Sequence, residues 1–452
     1  MQILQRVKKN QSEEQRGTFN VKRSWLKIGI PVMLIFVMLG GLSTQVEANA
    51  TDRAVGTDRI QVYLDRFTLA FDVEPRIIPT SEGGHTVVPF RKLAESLGVQ
   101  VTWNQANQTI KAVGFDREVV LTINRQAAQV DGQPYALGVA PFVDKGHTLI
   151  PLRFFSEVFG ADVNWNQQQK VIRITSPKTN MYTFAFYGLG SFSQRQYIPN
   201  FDGIGYTWSR INQQGEWTIS AANGNEYNWP QDHPDATTQD LIVSGQQGGG
   251  EAFLMVAAFE SRGEVSAVLL DQGKRNTALQ QMLDKVQEEN MDGILIDFEG
   301  IRSTEEHQAL KKAFTRFIQD LTQQAKQHGL KIGVALPPPN NHFNGYEYEL
   351  IGEAADFIFL MAYDYNPRGA GINHQLPEPM LLVNQGIEQT LETIPASKIV
   401  LGINAIYETP ETTVDKIGLA KRHGLKGMGL WILRGVNVDY MNQMGKSIYL
   451  EK

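Results

Sequence analysis

The chain has 452 residues, a formal net charge of -6 and 42% hydrophobic residues. That length exceeds one ordinary domain and allows two sizeable cores. The mild acidity, with no basic stripe in the folded part, excludes nucleic acid as the main partner; the absence of cysteine excludes disulfides, thiol nucleophiles and thiolate metal sites.

The N-terminal segment carries Arg6, Lys8, Lys9, Arg16, Lys22, Arg23 and Lys27, then "IGIPVMLIFVMLGGLS", then "QVEANA". A basic region, a short apolar run and a small-residue site (Ala48, Ala50) are the three parts of an export signal. Residues 1–50 are therefore expected to form a signal peptide or an uncleaved N-terminal membrane anchor. The apolar run is short for a spanning helix, which needs about 20 residues. In both cases the remainder is expected outside the membrane, secreted or on its extracellular face.

Residues 58–176 contain a repeat. "HTVVPFRKLAESLGVQVTWNQANQTIKAV" begins at His85 and "HTLIPLRFFSEVFGADVNWNQQQKVIRIT" at His147. Pro89 matches Pro151, Arg91 matches Arg153, Glu95 matches Glu157, Gly98 matches Gly160 and Trp103 matches Trp165. Each copy predicts a strand entering at proline, an amphipathic helix closed by glycine, a strand ending in Trp-Asn, a polar turn and an alternating strand. This predicts a small α+β domain built from two repeats. The blocks "VPFRKLAESLG" and "IPLRFFSEVFG", each followed by V-x-W, resemble the copper amine oxidase N-terminal-like domain of secreted bacterial proteins. The resemblance implies a non-catalytic appendage, with no bound copper, that binds or spaces at the cell envelope. His85 and His147 read as turn residues, because no second ligand cluster lies near them.

The polar joint "SPKTN" (Ser176–Asn180) marks a boundary, and the second domain is expected over residues 181–450. There the runs "YTFAFY", "GIGYTW", "FLMVAAF", "GILIDF", "KIGVAL", "FIFLMAY", "KIVLGI" and "GMGLWIL" read as strands. Helical stretches with charged faces separate the later ones. This pattern predicts an α/β fold, a (β/α)8 TIM barrel; a doubly wound open sheet is the alternative, and the missing Gly-rich phosphate loop argues against it.

The run "MDGILIDFEG" (Met291–Gly300) holds three acids in apolar surroundings. Alternation puts Ile294, Ile296 and Phe298 on one face and Leu295, Asp297 and Glu299 on the other. The second face points into the barrel, with Asp297 and Glu299 near the C-terminal mouth where barrel enzymes keep their sites. Buried carboxylates are costly unless paired or functional. A neighbouring Asp297 and apolar walls are expected to raise the pKa of Glu299, as suits a general acid. Asp292 has the other parity and reads as structural. The competing explanation is an ion pair, or solvated carboxylates, at a mouth without chemistry.

"DGILIDFEG" resembles the fourth-strand signature of family 18 glycoside hydrolases, D-x-x-D-x-D-x-E. "LMAYDY" is similar to that family's M-x-Y-D (Met361, Tyr363, Asp364), and "GMGLWIL" to its eighth-strand tryptophan, Trp431. The resemblance covers Tyr182 to Leu450. It implies Glu299 as catalytic acid, Asp297 as the group that orients the substrate's 2-acetamido group and stabilises an oxazolinium intermediate, and Tyr363 as a hydrogen-bond donor to the acetamido oxygen. Asp364 and Trp431 would hold the same sugar, with Met361 beside them. It further implies a secreted, retaining, substrate-assisted glycosidase acting on N-acetylglucosamine-containing polysaccharide, either peptidoglycan or chitin-like. The chain departs from the pattern at Leu295, where the family carries an acid that shares a proton with the next Asp. It also lacks an insertion between "KIVLGI" and "GMGLWIL", which implies an open, shallow cleft. The alternative is a lectin-like surface protein of the same fold that binds glycan without turnover.

No metal and no cofactor are expected, since the eight histidines form no His-x-His or His-x-x-x-His pair. Trp217, Tyr227 and Trp229, in the long polar segment after the second strand, either contact sugar or pin their loop.

Overall fold

The computed structural model describes residues 59–450, apart from positions 82, 221–228, 303, 305–306, 341–344 and 366–375. The signal or anchor expected over residues 1–50 and Tyr227 lie outside the described residues.

From Gln61 the chain builds short strands around two short helices. Gly83–Pro89 runs into the helix Phe90–Ser96, and His147–Pro151 runs into the helix Leu152–Val158. The two strands pair antiparallel, with Leu149 opposite Pro89 and Ile150 opposite Val88. The rings of Phe90 and Phe155 meet edge-on at 5.1 Å and tie both helices into one core with Leu93, Leu152 and Phe159.

Eight parallel strands then form a barrel: β1 (Tyr182–Tyr187), β2 (Gly203–Ile211), β3 (Glu251–Phe259), β4 (Gly293–Glu299), β5 (Lys331–Leu336), β6 (Phe357–Leu360), β7 (Ile399–Asn404) and β8 (Gly427–Trp431). Each pairs with the next, and β8 returns to β1 with Gly427 opposite Tyr182 and Gly429 opposite Phe184, so the sheet closes. The surrounding helices are α1 (Thr238–Gln246), α2 (Glu264–Leu269), α3 (Gln272–Glu288), α4 (Gln308–Lys326), α5 (Tyr348–Ala354), α6 (Met380–Leu391), α7 (Pro410–Arg422) and α8 (Val438–Ser447). The fold is a TIM barrel preceded by a β-rich domain.

Local chemistry sets the helix ends. Asp271 accepts the Lys274 N–H at 3.0 Å to open α3; Thr409 accepts the Thr412 N–H at 3.2 Å, with Pro410 at the first position of α7. Gly329 and Gly424, at φ +71° and +60°, close α4 and α7 in the left-handed region.

The strand expected over "FIFLMAY" ends early. β6 stops at Leu360, and Ala362–Asp364 form a 3-10 turn. The Met361 N–H still donates to the Leu336 carbonyl of β5 at 2.8 Å, and Met361 and Tyr363 pack against the inner core, so the apolar run continues past the end of the strand.

The barrel has two apolar layers. Ile294, Ile296 and Phe298 of β4 join the layer between sheet and helices. Leu295 joins the inner layer with Phe184, Phe253, Met255 and Phe359. Full burial of each such side chain stabilises the fold by about 1.5–3 kcal/mol.

The small domain packs on α7. Arg422 Nη2 donates to the Leu64 carbonyl at 3.2 Å, and the Arg66 guanidinium lies 3.4 Å from Asp415. Asp65 accepts the Ser176 N–H at 2.9 Å. Gly418 admits this approach, because a Cβ there would stand 2.4 Å from Asp65 Cβ.

Candidate active site

β4 presents its carboxylates in register with β3: Asp297 lies opposite Ala257 and Glu299 opposite Phe259. Asp297 is 5% exposed, whereas Glu299, at the strand's end, is half-buried. Both line a cavity of about 630 Å³ at the C-terminal mouth of the barrel. β3 contributes Met255, Ala257 and Phe259 to its wall, and β2 contributes Thr207, Ser209 and Arg210. Trp431 closes it from the end of β8, its ring edge-on to Phe186 at 4.9 Å. The Trp431–Ile432 peptide bond is cis.

Three sequence-predicted residues thus meet at one cavity: Asp297, Glu299 and Trp431. Met361 and Tyr363 pack against the same inner aromatic cluster as Trp431 but are not among the lining residues. Gly402 of β7 makes room for Tyr363, since a Cβ there would lie 2.9 Å from Tyr363 Cε1. The side chain of Asp364 lies outside the described residues. Asp292 sits at the opposite end of β4, where its carboxylate accepts the Ala252 N–H at 2.8 Å and Gln246 Nε2 at 2.9 Å. It ties the starts of β3 and β4 to the end of α1.

Loop residues brace the outer end of β4. The Tyr346 hydroxyl donates to the Phe298 carbonyl at 3.0 Å. Burial first, and then the nearby Glu299 charge, push the Tyr346 hydroxyl well above the ordinary phenol range, so it stays a donor.

Two arginines at the cavity were not singled out from the sequence. Along β2 the pairing with β3 slips between Tyr206 and Ser209, which inserts an extra residue. Such a bulge re-aims the side chains beyond it, and Arg210 lines the cavity. Arg210 forms an ion pair with Glu264 of α2, and both side chains are nearly buried. Glu264 also accepts the Phe259 N–H at 3.0 Å. Arg262, in the turn after β3, is exposed and lies over the Phe259 ring at 4.8 Å. Burial, and then Arg262, lower the pKa of Arg210. The strand-end signals "TWSRI" and "FESRG" mark both positions, yet their aim depends on the bulge.

Trp217 and Trp229 flank the Lys285 ammonium, at 5.5 and 4.7 Å, and Trp229 meets Trp208 edge-on at 5.0 Å. Neither lines the cavity. They pin their segment to α3.

The arrangement places a carboxyl group at the rim, able to hand over a proton, above a deeper carboxylate able to hold a developing positive charge. The indole wall suits the C–H face of a sugar ring. Among the described residues no three His, Asp or Glu side chains form a metal-holding group.

Both parts of the chain resemble known proteins. Residues 63–174 match the copper amine oxidase N-terminal domain. In Bacillus subtilis (strain 168), the candidate sporulation-specific glycosylase YdhD is 27% identical over 143 residues, covering 31% of this chain and 32% of that protein. The cortical fragment-lytic enzyme of the same organism is 27% identical over 148 residues, covering 31% and 33%. The chain thus spans about a third of the length of these curated relatives. Among solved structures, the C-terminal domain of a candidate chitinase from Desulfitobacterium hafniense DCB-2 superposes with a TM-score of 0.50 at 13% identity, covering 59% of this chain and 97% of that one. At that identity the likeness is one of fold. Residues 163–406, more than half of the chain, match the glycosyl hydrolases family 18 model. The chain belongs to glycosyl hydrolase family 18.

Proposed function

We propose that the barrel is a glycosidase that cleaves β-1,4 bonds in N-acetylglucosamine-containing glycans, peptidoglycan or chitin-like, with retention of configuration. The observation that carries this reading is the placement of Asp297 and Glu299 in one cavity with Trp431. Glu299 protonates the leaving oxygen. The substrate's 2-acetamido oxygen attacks the anomeric carbon, and Asp297 stabilises the positive charge on the resulting ring. Water, activated by the Glu299 carboxylate, then opens that ring. Trp431 holds the sugar face; Tyr363 and Asp364 hold the acetamido side, with Met361 supporting them. No metal or cofactor takes part.

The small domain is proposed to associate the enzyme with the cell envelope, and the basic and apolar N-terminal segment supports export to the extracellular face. The named relatives belong to spore and cortex biology, which favours a wall glycan as substrate. Leu295, where the family carries an acid, favours the alternative of a lectin-like glycan-binding protein.

The mechanism is tested by the anomer released first. Proton NMR during hydrolysis of N-acetylglucosamine oligomers is expected to show the β-anomer ahead of mutarotation. Initial release of the α-anomer would rule out the acetamido route, and binding without any release would favour the lectin-like reading.

A further inference from the structure

We propose that Arg262 binds a carboxylate carried by a sugar next to the cleavage point, so that the site prefers an acidic glycan over a neutral one. This inference rests on the glycosidase reading and names its substrate class. The cavity wall on the β2–β3 side holds two guanidinium groups, Arg210 and Arg262, facing the carboxylates of β4. The two differ in their balance of charge. Arg210 is neutralised by Glu264, and the pair is nearly buried. Arg262 is exposed, and no carboxylate among the described residues lies within ion-pair distance of it. The two acids nearest in sequence are engaged elsewhere: Glu260 accepts the Ser266 N–H at 2.7 Å, and Glu264 pairs with Arg210.

The position of Arg262 also selects what it can meet. It follows Phe259, the residue opposite Glu299, by three positions, and its guanidinium rests on the Phe259 ring at 4.8 Å. Arg210, Ala257 and Asp297 occupy one level across three neighbouring strands. Arg262 stands outward of that level, in the turn past Phe259, the last residue of β3. The Arg262 guanidinium therefore faces a sugar adjoining the one held at Asp297, rather than the reacting ring itself. A guanidinium with free donors, on an apolar shelf, is matched by a carboxylate. In an N-acetylglucosamine-containing glycan that group is a lactyl ether carboxylate or a ring uronate. A neutral polymer offers Arg262 nothing to neutralise.

The test compares one glycan in two charge states. Peptide-free wall strands, with their lactyl carboxylates free, are set against the same strands converted to methylamides, and kcat/KM is measured with the full chain. The free strands are expected to be cleaved about tenfold better, as charge-assisted pairing warrants. In Arg262→Gln the ratio falls towards one, and in Arg262→Lys it stays between the two. Equal rates on both forms by the unmodified protein, or a preference unchanged in Arg262→Gln, would overturn the proposal. Inhibition by a uronate-containing oligomer separates the carboxylate sources. Inhibition lost in Arg262→Gln assigns the site to carboxylates in general, its absence confines the site to the ether carboxylate, and either supports it. If no strand is cleaved, the glycosidase reading fails, and the comparison is run as binding. Tighter binding of the free strand that Arg262→Gln abolishes supports the anion site; equal binding overturns it.

Discussion

The Tyr346 hydroxyl and the Phe298 carbonyl, 3.0 Å apart and buried, link the loop after β5 to the peptide that precedes Glu299. The bond fixes the outer end of β4, and hence the direction of the Glu299 carboxyl. Tyr346→Phe removes the donor and leaves a buried carbonyl unsatisfied, which costs about 1–3 kcal/mol. The variant should melt earlier and lose kcat with little change in KM. Loss of stability with unchanged kcat would confine Tyr346 to a structural role.

Leu295 sits in the inner layer among Phe253, Met255 and Phe359, fully buried. Restoring an acid there, Leu295→Asp, puts a carboxyl among aromatic rings. The expected cost is about 3 kcal/mol or more, read as a fall in the urea midpoint. A midpoint equal to that of the unmodified chain would show that the interior accommodates the charge.

Asp415 gives the domain contact a pH dependence. Burial, opposed by Arg66 and aided by Asp65, pushes its carboxyl from an ordinary 3.8 up to about 7. The folded protein therefore keeps a proton that the unfolded chain has lost, and this contribution to stability declines as pH rises from about 4 to about 7. Asp415→Asn should gain on the unmodified chain across that window, with a constant difference above it. The partner Arg66 is exposed, so the lost ion pair weighs little. Parallel melting curves across the whole range would contradict the assignment.

The approach of Asp65 to Gly418 makes a steric prediction. A valine there would meet Asp65 where even a Cβ stands at 2.4 Å. Gly418→Val should loosen the small domain, seen as faster proteolysis near Ser176–Asn180, while the barrel still cleaves small oligomers. An unchanged cleavage pattern would mean that the contact yields without undocking.

Much of this was legible in the pattern of residues. Period-two alternation in "GILIDFE" gives the inward set Leu295, Asp297 and Glu299, and the observed layers follow it. The end of β6 was not legible, because Met361 and Tyr363 remain apolar and packed beyond the last residue of the strand. Arg210 reaches the cavity through a register slip that hydrophobicity does not encode. Trp217 and Trp229 kept two readings open until Lys285, far along the chain, supplied their partner.

Glu299 is proposed as the acid of a working glycosidase. The most direct measurement incubates the full chain, and separately Glu299→Gln, with purified peptidoglycan and with N-acetylglucosamine oligomers, and reads the released fragments by mass. The unmodified chain should release fragments ending in reducing N-acetylglucosamine. Release should fall by about 10²–10⁴-fold in Glu299→Gln, with sugar binding retained. Equal release by both proteins would remove Glu299 from the mechanism, and no release by either would show that the barrel is not a working glycosidase on these glycans.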